Sequence, residues 1–402
     1  MGFLVAPEGG VPVKRSSLSL LILIVVVAIV GAIWWTRREA SPPVATAPPA
    51  PTVRPVAAVI EIKAPLGLPP VPVPADNPPT AETIALGRRL YYDPILSVDN
   101  TVSCASCHGP DKGFAHGKNV SDGVQGKLGD RNSPTVLNAA YYKVQFWDGR
   151  APSLEKQAEG PVQNPVEMAH TLAGVEQKLM ADPTYREQFR QAWGTHQITY
   201  EMVGKSIASF ERTVISGNSP FDRFSYGGDK KALSPAAQRG LKLFLDPKKG
   251  NCNACHTIGE EYALFTDNKF HNIGIGADTK GNLADLGRYK ETKMEGDQGA
   301  FKTPSLRNVA LTAPYMHDGS LVTLKDVMDY YVGGGNTNPY LDKEMRTLDF
   351  LTFDERRDIL AFLESLTGEM PKDVGPPQAS AAAPATPAPT KPATATKPGA
   401  HK

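Results

Sequence analysis

The chain has 402 residues, and its 43 Lys and Arg nearly balance its 42 Asp and Glu, leaving a formal net charge of +1. That length suits two domains of ordinary size with chain to spare. So even a balance makes no electrostatic case for nucleic acid, and none is expected as a partner.

The first predicted element is the uncharged, almost wholly apolar run "LSLLILIVVVAIVGAIWW" at residues 18–35. As a helix rising about 1.5 Å per residue, it just spans a hydrocarbon core of about 30 Å. Lys14 and Arg15 precede it, Arg37 and Arg38 follow it, and Trp34 and Trp35 stand where an interfacial aromatic belt belongs. No convincing small-x-small cleavage site closes the run. Residues 1–38 therefore read as an uncleaved signal anchor and transmembrane segment, with a cleaved signal peptide as the rival. Residues 39–79 hold "SPPVATAPPAPTVRPVAAV" and "PLGLPPVPVPADNPP". This composition favours extended polyproline conformations and builds no core, so the segment reads as a stiff linker.

Two related modules follow. "GRRLYYDP" begins at Gly87 and "GLKLFLDP" at Gly240, and a C-x-x-C-H motif comes after each. A repeat of this length marks residues 80–225 and 226–370 as two domains of one kind. Helical signals dominate inside them. Val203, Ile207, Phe210 and Val214 share one helix face. In "TFDERRDILAFLESLTG", Thr352 and Glu355 form a capping box, Ile359, Phe362, Leu363 and Leu366 an apolar stripe, and Gly368 a stop. Strand-like alternation is scarce. The expected fold is mostly α, with long Gly- and Pro-rich loops that need a large apolar object to pack on. Residues 371–402 are low-complexity and read as a disordered tail.

The four cysteines are Cys104, Cys107, Cys252 and Cys255, each pair followed directly by a histidine, His108 or His256. Two thiols about one helical turn apart add to the two vinyl groups along one heme edge, and the next residue then lies under the iron as axial ligand. A zinc site is the rival reading, disfavoured because both motifs place His immediately after the second Cys and lie far apart in the chain. The expectation is two covalently bound c-type hemes, one on Cys104, Cys107 and His108, the other on Cys252, Cys255 and His256. No cysteine is then left for a disulfide. Because c-type heme is attached outside the cytoplasm, the protein is expected in the periplasm. It would be held to the inner membrane by its N-terminal helix, or be soluble there if that segment is cleaved.

With these motifs in place, the sequence resembles the bacterial di-heme cytochrome c peroxidases, and more closely their MauG-like branch. The resemblance runs over residues 80–368 and is carried by "SCASCH", "RNSPTVLNAAYY", "FWDGRAPSLEKQAEGPVQNPVEM", "FERTVIS", "CNACH", "FHNIGIG", "FKTPSLRNVALTAPYMHDGS" and "TLKDVMDYY". It implies two cytochrome c-like domains in tandem, with a calcium ion and a tryptophan between the hemes. It makes Glu167 a distal acid that takes a proton from peroxide and returns it to the leaving oxygen. Gln157 and Pro161 line the same pocket, and Trp147 is an inter-heme electron relay. It assigns calcium to Asn132, Thr312 and the Pro314 carbonyl, oxygen ligands that suit a hard cation. Arg307 is expected to pair with a heme propionate.

Two departures bear on subtype. Where many di-heme peroxidases carry a blocking histidine, this chain has "VSDGVQG", with Asp122 in that place. His116 is the only nearby histidine and reads as a solvated loop residue. Heme one is therefore expected to be open to peroxide without prior reduction. At heme two, the residue fourteen positions after His317 is Tyr331, where the peroxidases commonly place Met and MauG-like proteins Tyr. A thioether raises heme potential, whereas an anionic phenolate lowers it. Tyr330, Met316 and Met328 are the alternatives for that position. The leading expectation is reduction of hydrogen peroxide to water at the N-terminal heme. The electrons would come through the C-terminal heme from a small c-type cytochrome, a cupredoxin or a quinol-linked protein. Oxidation of a protein or organic substrate by peroxide-derived equivalents is the alternative, and a membrane-tethered electron-transfer cytochrome the third reading.

Overall fold

The structure, a computed structural model, describes residues 53–377. The expected membrane segment at 18–35 lies outside the described residues. Within them, no helix is long and apolar enough to cross a membrane. The first module contains α1 (Ala81–Tyr92), α2 (Cys104–Cys107), α3 (Leu154–Gln157), α4 (Glu159–Gln163), α5 (Leu172–Ala181), α6 (Pro183–Trp193) and α7 (Tyr200–Glu211). After α8 (Pro220–Ser225), the second contains α9 (Pro235–Leu245), α10 (Tyr289–Thr292), α11 (Leu324–Val332) and α12 (Phe353–Glu364). Strand is confined to β1 (Phe270–His271) pairing antiparallel with β2 (Phe301–Lys302). The rest is loop and short 3-10 turn, as the Gly and Pro content foretold.

The octapeptide repeat marks the same helix crossing in both modules. α1 packs on α7, and α9 on α12. Each crossing is made at the repeat's leading glycine. A Cβ on Gly87 would sit 1.8 Å from the Ser206 carbonyl oxygen, and one on Gly240 would sit 1.9 Å from that of Asp358. Only a residue without a side chain admits so close an approach. One turn on, Tyr91 meets Phe210 edge-on at 5.1 Å and Phe244 meets Phe362 at 5.0 Å. These rings anchor two separate apolar cores, one per module. Thr352 and Glu355 form the expected capping box, and the stripe Ile359, Phe362, Leu363 and Leu366 is buried. α12 ends at Glu364, four residues before the glycine read as its stop, and the Gly368 N–H instead donates to Asn308 Oδ1 at 2.9 Å.

Two segments read as free chain are docked. Residues 53–79 run over the modules without helix, turning at 66–68 and 75–76, with several carbonyls used as hydrogen-bond acceptors. Lys205 Nζ donates to Val53 O at 3.0 Å, Arg212 Nε to Pro72 O at 3.1 Å and Tyr141 Oη to Pro69 O at 3.0 Å. A proline-rich stretch has few N–H groups to satisfy, so docking mainly through acceptors suits it, with the Val56 N–H donating to Ala192 O at 3.1 Å and Asn77 Nδ2 to Glu155 Oε1 at 2.9 Å as donors. At the other end, Val374 is buried in the first core. Tyr92 Oη donates to its carbonyl at 2.7 Å, and Arg88 Nε to Gly375 O at 2.6 Å. The tail thus begins after a strap that returns to α1.

A second internal repeat escaped the sequence reading. Residues 133–151 and 303–321 share an [S/T]-P-x-x-x-N-x-A pattern followed by D-G. Asn138 and Asn308 both adopt left-handed φ, at 63° and 59°, ahead of 3-10 turns. Phe146 and Met316 do the same at 67° and 73°. Isolated antiparallel bridges, Gln145 with Ala151 and Tyr315 with Leu321, close the matching loops. Trp147 and His317 occupy the corresponding places in the two copies.

Candidate heme sites

In the first module, a capping box between Ser103 and Ser106 starts α2, and His108 is its C-cap, with its N–H donating to Cys104 O at 2.9 Å. Tyr91 Oη donates to the His108 carbonyl at 2.8 Å and ties the motif to α1. Cys104, Cys107 and His108 line a cavity of about 510 Å³ whose other walls include Gln157, Pro161 and Glu167. Burial pushes the His108 imidazole down to about 4, so it is neutral at physiological pH, and Nδ1 is buried with no hydrogen-bond partner among the described residues. Among the described residues, His108 is the only histidine on this wall.

Glu167 accepts from Asn164 Nδ2 at 2.7 Å. Burial holds its carboxyl above the usual carboxylate range, against the Asn164 hydrogen bond and the Arg150 charge. Asp122, in the place of a blocking histidine, lines the cavity and is ion-paired to Lys118. His116 does not line it. Contrary to expectation, His116 is buried, with Nε2 3.3 Å from Asp122 Oδ2. Met168, buried beside Glu167, is a further side chain on the wall.

In the second module, Cys252, Cys255 and His256 line a cavity of about 250 Å³ together with Tyr331, Met316 and Met328. His256 Nδ1 lies 2.9 Å from Phe265 O. A carbonyl only accepts, so Nδ1 carries the proton and Nε2 is left with a free lone pair, the tautomer a metal ligand needs. Burial also lowers the His256 pKa. Tyr331 is enclosed, and burial raises its phenol pKa. Tyr330 turns away, donating from Oη to Ile273 O at 2.8 Å, and is not on the wall. His271 is a wall residue that the sequence reading quoted without a role. Its Nδ1 is 2.6 Å from Asp342 Oδ2 and its Nε2 3.0 Å from Asp267 Oδ2.

Trp147 lines both cavities. Its Nε1 donates to Asn132 O at 2.9 Å, and the Asn132 N–H donates to His317 O at 2.8 Å, so one residue links the two modules' matching loops. Asn132, Thr312 and Pro314 all line the second cavity. The Asn132 amide donates from Nδ2 to Lys118 O at 2.8 Å. Among the described residues, no cluster of three His, Cys, Asp or Glu suggests a metal site.

The propionate role read for Arg307 is corrected. Arg307 is buried with its fork on Asp222, both Nη1–Oδ2 and Nη2–Oδ1 at 2.9 Å. Nε donates to Ala263 O at 2.7 Å and Nη2 to Gly67 O at 2.5 Å. It lines neither cavity. Its charge is spent inside the chain, binding the docked N-terminal strap to α8 and the second module.

The thiols are unpaired, each C-x-x-C pair adjoins a neutral imidazole, and each set lines a cavity. These residues fit a covalently attached heme in each module, and fold and sites together define a protein of two tandem c-type cytochrome domains. The family model described as di-haem cytochrome c peroxidase matches residues 81–231, and a cytochrome c model matches residues 237–367. The methylamine utilization protein MauG of Methylorubrum extorquens is 42% identical over 300 residues, covering 74% of this chain and 82% of that protein. The cytochrome-c peroxidase IdrP1 of Denitromonas iodatirespirans is 39% identical, covering 75% and 86%. The crystal structure of a MauG-like protein associated with microbial copper homeostasis superimposes with a TM-score of 0.70 at 33% identity, covering 77% of this chain and 96% of that one. The chain belongs to the di-heme cytochrome c peroxidase and MauG family.

Proposed function

We propose that the chain reduces hydrogen peroxide at the first cavity, drawing electrons through the second. When bound, the hemes supply the iron-centred redox chemistry, and per peroxide two electrons and two protons yield two waters. The observation that carries the reading is that His108, Glu167, Gln157 and Pro161 line one cavity, with no second histidine among its described wall residues. Glu167, dried by burial and oriented by Asn164, accepts the peroxide proton and returns it to the departing oxygen. Gln157 orients the substrate by hydrogen bonding, and Pro161 excludes water. Trp147, common to both cavity walls, is the electron path between modules. Tyr331, with His256, would hold the iron of the C-terminal heme. A calcium ion held by Asn132, Thr312 and the Pro314 carbonyl stiffens the junction. C-type heme is attached outside the cytoplasm, which supports a periplasmic protein anchored by its N-terminal segment. A steady-state assay tests the reading: one peroxide should consume two equivalents of a reduced small cytochrome c or artificial donor. Peroxide consumption without donor oxidation would refute it.

A second reading has a specific observation behind it. Tyr331, not Tyr330, is on the second cavity's wall. A phenolate ligand there disfavours electron entry from a high-potential donor and favours retention of oxidising equivalents, for use on a protein or organic substrate.

A further inference from the structure

Lys302 is the unexplained charge in the second module. It lies in β2, only 7% exposed, and its remaining surface opens on the second cavity. Its backbone is fixed beside the electron path, with the N–H donating to Trp147 O at 2.7 Å. Its Nζ stands 3.2 Å from the centroid of the Tyr142 ring. Among the described residues, no oxygen accepts a hydrogen bond from Nζ and no carboxylate pairs with it.

The carboxylates on the same wall are committed elsewhere. Asp342 Oδ2 is 2.6 Å from His271 Nδ1, and Glu344 Oε2 accepts from Asn251 at 2.9 Å. A ring face offsets only part of the cost of drying an ammonium. Burial alone accordingly pulls Lys302 down to about 7. A buried cation on a cavity wall, with no counter-ion among the described residues, suits an anion brought by whatever fills the cavity.

We propose that Lys302 is the positioning residue that pairs with a carboxylate of the C-terminal heme, the role first read for Arg307. The inference rests on the two-heme reading. Pairing keeps Lys302 charged, and a fixed positive charge near the iron favours the reduced form. Lys302 would thus set both the seating of the C-terminal heme and its potential, beside the Trp147 backbone.

The test uses the holoprotein. Heme content of the wild type, two per chain by absorbance of the alkaline pyridine complex, is measured first, and fewer than two would sink the two-heme reading separately. Midpoint potentials are then recorded by spectroelectrochemistry for wild type, Lys302→Met and Lys302→Arg. The expected result is a shift of the C-terminal heme to lower potential in Lys302→Met, the N-terminal heme moving less, with Lys302→Arg close to wild type. An unchanged C-terminal potential in Lys302→Met would overturn the proposal. If Lys302→Met fails to retain the second heme, retention by Lys302→Arg supports charge pairing, whereas equal loss in both shows a purely steric role and overturns it.

Discussion

Glu167→Gln is the substitution that weighs most on the chemistry. The amide matches the carboxyl in volume and its oxygen still accepts from Asn164 Nδ2, so the 2.7 Å contact and the local fold persist while the titrating proton is removed. Positioned acid–base groups contribute roughly 10²–10⁴-fold, and about 1.4 kcal/mol accompanies each factor of ten, so a loss of about 3–5.5 kcal/mol of transition-state stabilisation is expected. The pH dependence gives a second handle. Burial raises the Glu167 pKa, and the base form is the one that accepts the peroxide proton. The peroxide bimolecular rate constant should therefore rise with pH through a pKa above the ordinary carboxylate range, and Glu167→Gln should abolish that limb. Stopped-flow mixing of the oxidised protein with peroxide, monitored in the heme absorption band, measures both. A rate within a factor of three of wild type, or an intact acidic limb in the variant, would refute the acid–base assignment.

Other consequences are structural. Gly87→Ala and Gly240→Ala place a methyl where 1.8 and 1.9 Å separate it from a carbonyl oxygen, so each should destabilise its module by about 1–3 kcal/mol or more in denaturant unfolding, with the partner module less affected. Arg307→Met leaves Asp222 buried and unpaired and should cost about 3–5 kcal/mol without moving either heme potential. Glu211 is fully buried on the first cavity's wall with Oε2 unpartnered, and burial, opposed by Arg212 and helped by Glu155, pushes it up to about 8. The folded chain holds this proton more tightly than the unfolded chain. Its contribution is therefore full below the unfolded pKa near 4.5 and is lost as pH rises through 8, a swing on the order of 5 kcal/mol. Glu211→Gln should flatten the thermal stability profile across that window, and an unchanged slope would contradict the buried-acid account.

Much of this was legible in the chain because short motifs carried it. C-x-x-C-H fixes a thiol pair and an imidazole within one turn, and the glycine-led octapeptide marks a helix crossing that tolerates no side chain. The Tyr331 register followed from motif spacing, and the cavity wall includes Tyr331 while excluding Tyr330. What was missed depends on contacts between residues distant in sequence. Proline content read residues 39–79 as a linker without a core of its own, but composition does not show that carbonyls of residues 53–79 meet Lys205, Arg212 and Tyr141. Arg307 was read as a ligand for an external carboxylate, although Asp222, 85 residues away, already fills its fork. Lys302 went unread because its distinction is the absence of a counter-charge, which only the folded chain reveals. The 133–151 and 303–321 repeat was hidden by its aligned residues, Trp147 and His317, which share position and not chemistry.

The central claim is that the first cavity leaves one face of its heme free for peroxide, and it is tested most directly by spectroscopy of the as-isolated, fully oxidised protein. Electron paramagnetic resonance and absorption spectra should show one high-spin heme, that of the first module, and one low-spin heme, with the high-spin signal lost on adding one equivalent of peroxide. Two low-spin hemes unresponsive to peroxide would show that a side chain such as Met168 closes the first cavity, and would contradict the account.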